Sequence, residues 1–181
     1  MTAPVRVQRK RTKGWRMPPN TVYVGRPGKW GNPFVGYGWQ ASFRAVLLLG
    51  ERGDRGGIQR AAVKLYRLWL TGRWRRVTVD RRNAFEREIT TVRAPARPTR
   101  REIVRELRGK NLACWCGLCP RHKDGKPFDV ECQDCEPCHS DPLGQLANRP
   151  AGTCALCAGT GIVHDGDDDD CDKPCECGIE S

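Results

Sequence analysis

All 11 cysteines of this 181-residue chain lie between Cys114 and Cys177, so Met1–Ala113 contains none. Thiols this crowded are either cross-linked or given to a metal. Met1–Arg16 is basic and polar, without the charged-then-apolar pattern of an export signal, which predicts a cytoplasmic chain in a reducing compartment. Disulfides do not persist there, and short cysteine pairs accompanied by histidine predict zinc, two to three ions in all.

The cysteines fall into three groups. Cys119 and His122, then Cys132 and Cys135, read C-x2-H, nine residues, C-x2-C. Two-residue spacers let both side chains of a pair point at one tetrahedral ion, and Gly125-Lys126-Pro127 suits the connecting loop. Cys114-Trp115-Cys116 is completed only at Cys138-His139. Leu112–Cys116 reads as a strand whose period of two puts Cys114 and Cys116 on one face. Two readings stay open for this group. Cys114, Cys116, Cys138 and His139 bind zinc, or they line a ligand site where a strand end faces a helix N-terminus. The third group is Cys154 and Cys157 followed by Cys171, Cys175 and Cys177. Cys175 and Cys177 are the expected closing pair, with Cys171 as the alternate and His164 as a substitute. The acidic run Asp167–Asp170 between them lacks the spaced ligands of a calcium loop and is expected at a solvated hairpin tip.

Charge divides the chain in a similar place. Up to Lys110 there are 27 Lys and Arg against 7 Asp and Glu; from Asn111 there are 5 against 14, and the resulting +20 and −9 make up the net +11. A basic body suggests a polyanionic partner, either a nucleic acid or a phosphorylated small ligand. The longest apolar run, Ala45–Leu49, is far short of the roughly 20 residues a bilayer crossing needs, so no membrane role is expected.

The body reads as an α/β domain, a small open and mainly parallel sheet flanked by helices. Val5-Arg-Val and Thr21–Val24 are expected strands. Ser42–Leu49 and Ile58–Leu70 are expected helices, the latter with Ala61, Ala62, Leu65, Leu68 and Trp69 along one face. Thr99-Arg-Arg-Glu102 is a capping box opening another helix that Gly109 closes, and a final helix opens at Pro142. These elements place a body at 1–149, with an Arg-rich insertion at 71–98 and a zinc-knuckle insertion at 117–137, followed by an acidic zinc-ribbon-like tail at 150–181. Between Gly25 and Phe34, three glycines, Arg26, Lys29, Trp30 and Asn32 form a loop able to receive an anion and a stacking base, or else a rigid turn with Trp30 and Phe34 in the core.

Two resemblances follow from these motifs. Cys154-Ala-Leu-Cys157-Ala-Gly-Thr-Gly161 is similar to half of a DnaJ-type zinc ribbon, although Cys175-Glu-Cys177 has one spacer residue where that repeat has two. Thr21–Phe34, Leu107–Cys116, Cys138-His-Ser-Asp141 and the upstream Gln8–Pro18 together resemble domain-of-unknown-function family 4326, common in bacteria and bacteriophages, over roughly residues 5 to 149. Residues 71–98 are longer than that resemblance implies, and Pro142 stands where an apolar residue is usual. The family carries no assigned activity, so the resemblance implies a fold and, for a phage protein, a location in the host cytoplasm.

Three functions follow as expectations. In one, the body binds or processes a nucleotide, nucleoside or sugar-phosphate, with Arg26, Lys29, Trp30 and Asn32 holding it and His139 and Asp141 moving protons. In another, it is a nucleic-acid-binding module with structural zinc. In the third, the zinc tail contacts a host protein partner.

Overall fold

The computed structural model of the chain describes residues 3–34, 49–72, 76–82, 87–93, 96–149, 162–164 and 172–174. Strands β1 (Val5–Gln8) and β2 (Thr21–Tyr23) precede helix α1 (Arg55–Leu70), strands β3 (Arg76–Arg82) and β4 (Arg87–Arg93) and helix α2 (Arg100–Leu107). Then come β5 (Asn111–Cys114), a 3-10 turn at Pro120–His122, β6 (Lys126–Pro127), α3 (Ser140–Asn148), β7 (Ile162–His164) and β8 (Asp172–Pro174). The body is α/β, as its alternation of elements implies. Its four-stranded mixed sheet runs β2-β5-β1-β6, with β5 parallel to both neighbours and β6 antiparallel to β1.

Register sorts the side chains onto two faces. Leu112 pairs with Arg6 on one side and Val22 on the other, so these three share a face with Cys114; Ala113, paired with Val7 and Tyr23, lies on the opposite face. The helices supply the core of the first face. Tyr66, Trp69 and Leu70 from α1, Ile103 and Leu107 from α2, and Leu143, Leu146 and Ala147 from α3 cluster with Leu112, Cys114 and Val24.

Local chemistry sets the helix limits. The Asp54 side chain accepts from Gly57 N–H at 2.6 Å, so α1 starts three residues before its apolar stripe. At α2 the Thr99–Glu102 capping box forms, and its two wholly buried side chains, Ile103 and Leu107, contribute about 1.5–3 kcal/mol each against about 1 kcal/mol for the cap. Packing therefore outweighs capping there. Gly109, at φ +72°, ends this helix in the left-handed conformation, and its N–H and C=O are taken by Asn148 and Asn20. Pro142 sits in the first turn of α3, where its missing N–H costs nothing.

Residues 117–137, expected to be an insertion, contribute to the sheet and the core. Lys126–Pro127 adds the fourth strand beside β1, and Phe128 enters the core against Gly144. Within 71–98 the Arg-rich segment carries an antiparallel pair, Arg76–Arg82 with Arg87–Arg93, which weak periodicity had hidden. Ile162–His164 pairs antiparallel with Asp172–Pro174, and the acidic run Asp167–Asp170 expected at a hairpin tip lies outside the described residues. The helix expected at Ser42–Leu49 lies outside the described residues except for Leu49, which begins a turn. Among the described residues no helix is long and apolar enough to cross a membrane.

A Cβ at Gly144 would collide with the Phe128 ring. Gly144→Ala is expected to lower stability by about 1–3 kcal/mol, measured by thermal or denaturant unfolding.

Candidate metal centres

Two thiol groups close in space. In the first, one ligand atom from each of Cys119, His122, Cys132 and Cys135 lies within 4.8 Å of every other. Cys119 precedes the Pro120–His122 turn, which returns His122 Nδ1 to within 3.3 Å of Cys119 Sγ and 3.4 Å of Cys135 Sγ; Cys132 Sγ is 3.9 Å from Cys119 Sγ. The Cys119 N–H donates to Cys135 Sγ at 3.4 Å, a bond that favours a thiolate. Burial works against ionising Cys119, yet bonds from Cys135, His122 and Cys132 pull its thiol down to about 6. Three soft sulfurs and an imidazole in this compact set can hold a metal ion, as the spacing predicts.

The second group is Cys114, Cys116 and Cys138, again with sulfurs mutually within 4.8 Å. It lies at the carboxyl end of β5, the strand between the two parallel neighbours, and at the start of α3. Cys114 and Cys116 sulfurs are 3.7 Å apart, Ser140 Oγ donates to Cys138 Sγ at 3.0 Å, and Gln59 Nε2 reaches Cys116 Sγ at 3.7 Å. Burial opposes ionisation of Cys138, but bonds from Cys114, Cys116 and the His139 ring draw it well below the ordinary thiol range. The contact with Cys116 lowers the Cys114 thiol, but the contact with Cys138 and burial outweigh it and push it up to about 11; Cys116 is raised by its contacts with both other sulfurs and by burial. His139 is outside the mutual 4.8 Å set: its Nε2 bonds the Val24 carbonyl at 2.8 Å, and its ring lies against Cys138.

Arg6 joins the two groups. Its side chain is 1% exposed, with Nη1 on Asp141 Oδ2 at 3.0 Å and Nη2 donating to the carbonyls of Glu136, Gly117 and Cys116 at 2.8, 3.0 and 3.3 Å. Those carbonyls belong to the two arms of the insertion, also clamped by Gly117 N–H on Glu136 Oε2 at 2.6 Å. Lys126, 4% exposed, gives Asp141 a second cation at 3.3 Å. Asp141 is thus held by Arg6 and Lys126 while His139 turns to Val24, so the expected His139–Asp141 acid–base pair is not assembled in this geometry. Sequence reasoning passed over Arg6; the signal was Val5-Arg-Val, a cation on the face opposite two valines in a short strand.

The Arg26–Asn32 loop is occupied by the protein itself. Asn32 Nδ2 donates to the Ala62 carbonyl at 3.0 Å while its Oδ1 accepts from Phe34 N–H. Trp30 is buried, its carbonyl receiving the Tyr66 hydroxyl at 2.8 Å, and Phe34 meets Trp69 edge to face at 6.0 Å. Lys29 lies over the Trp30 ring and bonds Glu102 and Glu106 at 3.1 and 2.9 Å; exposed pairs like these are screened by solvent, so they position the loop more than they stabilise the fold. Arg26 is exposed. The third cysteine group, Cys154, Cys157, Cys171, Cys175 and Cys177, lies outside the described residues.

The fold and these groups define a small α/β domain with thiol clusters able to hold metal ions at its central strand end and in a loop built into its sheet. Residues 7–149 match the family model described as Domain of unknown function (DUF4326), and the chain belongs to that family. No curated protein and no solved structure matches the chain.

Arg6→Met would leave Asp141 with Lys126 as its one cation among the described residues and take the donor from three carbonyls, and it is expected to cost about 1–3 kcal/mol per acceptor left unsatisfied in denaturant unfolding. Cys132→Ser is expected to leave the purified protein with one metal ion per chain fewer, read by elemental mass spectrometry. Unchanged metal content would remove the first group from consideration.

Proposed function

We propose that this protein is a zinc-organised binding module for single-stranded nucleic acid. The carrying observation is a layer of rings and cations on the sheet face opposite the helices. Trp115, 40% exposed, donates from Nε1 to the Tyr23 hydroxyl at 3.0 Å. The Arg9 guanidinium stands 4.7 Å from the Tyr23 ring centre and 4.8 Å from that of Trp115, and Arg11 stands 4.9 Å from Trp115. Lys10, Arg11, Lys13 and Arg16 are exposed on the segment that follows β1. Rings and guanidinium planes give unpaired bases something to stack on, and neighbouring cations meet the phosphates. Duplex DNA keeps its bases stacked and offers no such faces.

Zinc is the metal the donor sets favour, since three thiolates with an imidazole is a common structural zinc set and needs no redox chemistry. On this reading the ions are architectural. The body at 1–149 carries the nucleic-acid face, and the acidic tail at 150–181 is left for a protein partner, a host factor if the protein is phage-encoded. A phosphorylated small ligand at the Arg26–Asn32 loop is the other reading. It is favoured less because Lys29, Trp30 and Asn32 are already engaged.

Binding of short labelled DNA and RNA oligonucleotides, followed by fluorescence anisotropy over a salt series, tests the proposal. Log affinity is expected to fall linearly with log salt, at about −0.7 per phosphate contact. Trp115→Ala should weaken binding by the roughly 1–3 kcal/mol of one stacked base. Absence of oligonucleotide binding, together with thermal stabilisation by a nucleotide that Arg26→Ala abolishes, would transfer the function to the loop.

A further inference from the structure

We infer that the buried strand-end thiols form a second zinc centre, closed by His139 through Nδ1, and that this ion holds the Trp115 face in place. Its link to Trp115 rests on the proposed nucleic-acid role only for its biological meaning; the metal site and the mechanical link stand apart from it.

Two observations support the fourth ligand. A backbone carbonyl only accepts hydrogen bonds, so His139 Nε2, 2.8 Å from Val24 O, carries the proton. In the neutral ring the Nδ1 lone pair is then available. Histidines that bind metals commonly donate their other N–H to a carbonyl in just this way, which fixes ring and tautomer. The ring also lies against Cys138, one of the three sulfurs.

Buried charge supports an anionic centre at the same place. Arg6 and Lys126 are both within the interior and share a single carboxylate, Asp141, which leaves one positive charge in excess. Three thiolates, a neutral imidazole and a divalent zinc sum to one negative charge. The site and its cationic neighbour then balance, whereas three neutral thiols would leave the excess cation in a low-dielectric setting. Ser140 Oγ and Gln59 Nε2 already donate to two of the sulfurs, as donors to metal-bound thiolates do.

The link to the opposite face is covalent. Trp115 lies between Cys114 and Cys116, just past the end of β5, and its indole N–H reaches Tyr23, which lies on the sheet face opposite Cys114. An ion gripping residues 114 and 116 fixes the backbone that carries Trp115 and, through its N–H on Tyr23, the registry of the ring layer. Loss of the ion frees both sulfurs and removes that constraint.

The full chain and the variants Cys138→Ser, His139→Ala and Cys132→Ser test this by zinc content and by the indole N–H resonances, with Trp115 assigned from Trp115→Phe. Cys138→Ser is expected to carry one zinc fewer than the unaltered chain and to shift or broaden the Trp115 indole signal. His139→Ala should bind cobalt at this site at least tenfold more weakly, and Cys132→Ser should lose its own ion and leave the Trp115 signal in place. If Cys138→Ser does not fold, alkylation of the unaltered chain read by peptide mass spectrometry replaces it. Half-buried Cys116 should then be protected until a chelator is added. Unchanged zinc in Cys138→Ser, or Cys116 alkylation indifferent to chelator, overturns the centre. Undiminished cobalt affinity in His139→Ala overturns the fourth ligand, and an unmoved indole signal on loss of the ion overturns the link. Failure of the nucleic-acid reading would appear separately, as unaltered protein that binds no oligonucleotide while these metal results hold.

Discussion

The Arg6 guanidinium is the point on which the body of this protein turns. One planar fork, removed from solvent, satisfies three carbonyls from the two arms of an inserted loop and a carboxylate at the start of the last helix. Taking such a charge out of water costs several kcal/mol, which the ion pair and the bonds from its two terminal nitrogens offset. The strand, the insertion and α3 therefore have to assemble together. The two thiol groups flank this assembly: Cys116 and Cys138 lie on the arms that Arg6 holds, and Cys119 and Cys135 follow and precede the Gly117–Glu136 clamp.

From that arrangement comes a division between the two faces of the sheet. One face is filled by three helices and by sulfur, and Arg6 and Lys126 are buried there with Asp141 between them. The other carries Tyr23, Trp115 and the arginines that lie over them. Side chains able to hold a metal and a ring suited to stacking on bases sit on alternate residues of one short segment, Cys114-Trp115-Cys116. This is why a cluster that looks purely architectural bears on the outer surface as well.

Much of this was legible in the sequence, and the rest was hidden for specific physical reasons. Cys119, His122, Cys132 and Cys135 announce themselves because coordination demands short fixed spacers, and the structure gathers all four. The Thr99–Glu102 box and the stripe of α1 were legible because capping and helical periodicity are local. Lys126–Pro127 was not, since a two-residue edge strand has no period and contains a proline. Arg6 was passed over because one cation in a basic chain looks like surface; only its pairing beside Leu112 makes it interior. Trp30 and Asn32 belong to a motif that composition alone leaves open between ligand loop and packed turn, and long-range contacts to Tyr66 and Ala62 fill their bonding capacity. Trp115 was overshadowed by the cysteines on either side of it, and the strand expected to run to Cys116 ends at Cys114, so its place beside Tyr23 shows only in the fold.

The account stands on metal ions organising the body. Elemental mass spectrometry of the unaltered chain, purified without chelator and referred to quantified protein, tests this most directly. The two groups among the described residues predict at least two zinc ions per chain. A folded, metal-free protein whose thiols between Cys114 and Cys138 all react freely would contradict it.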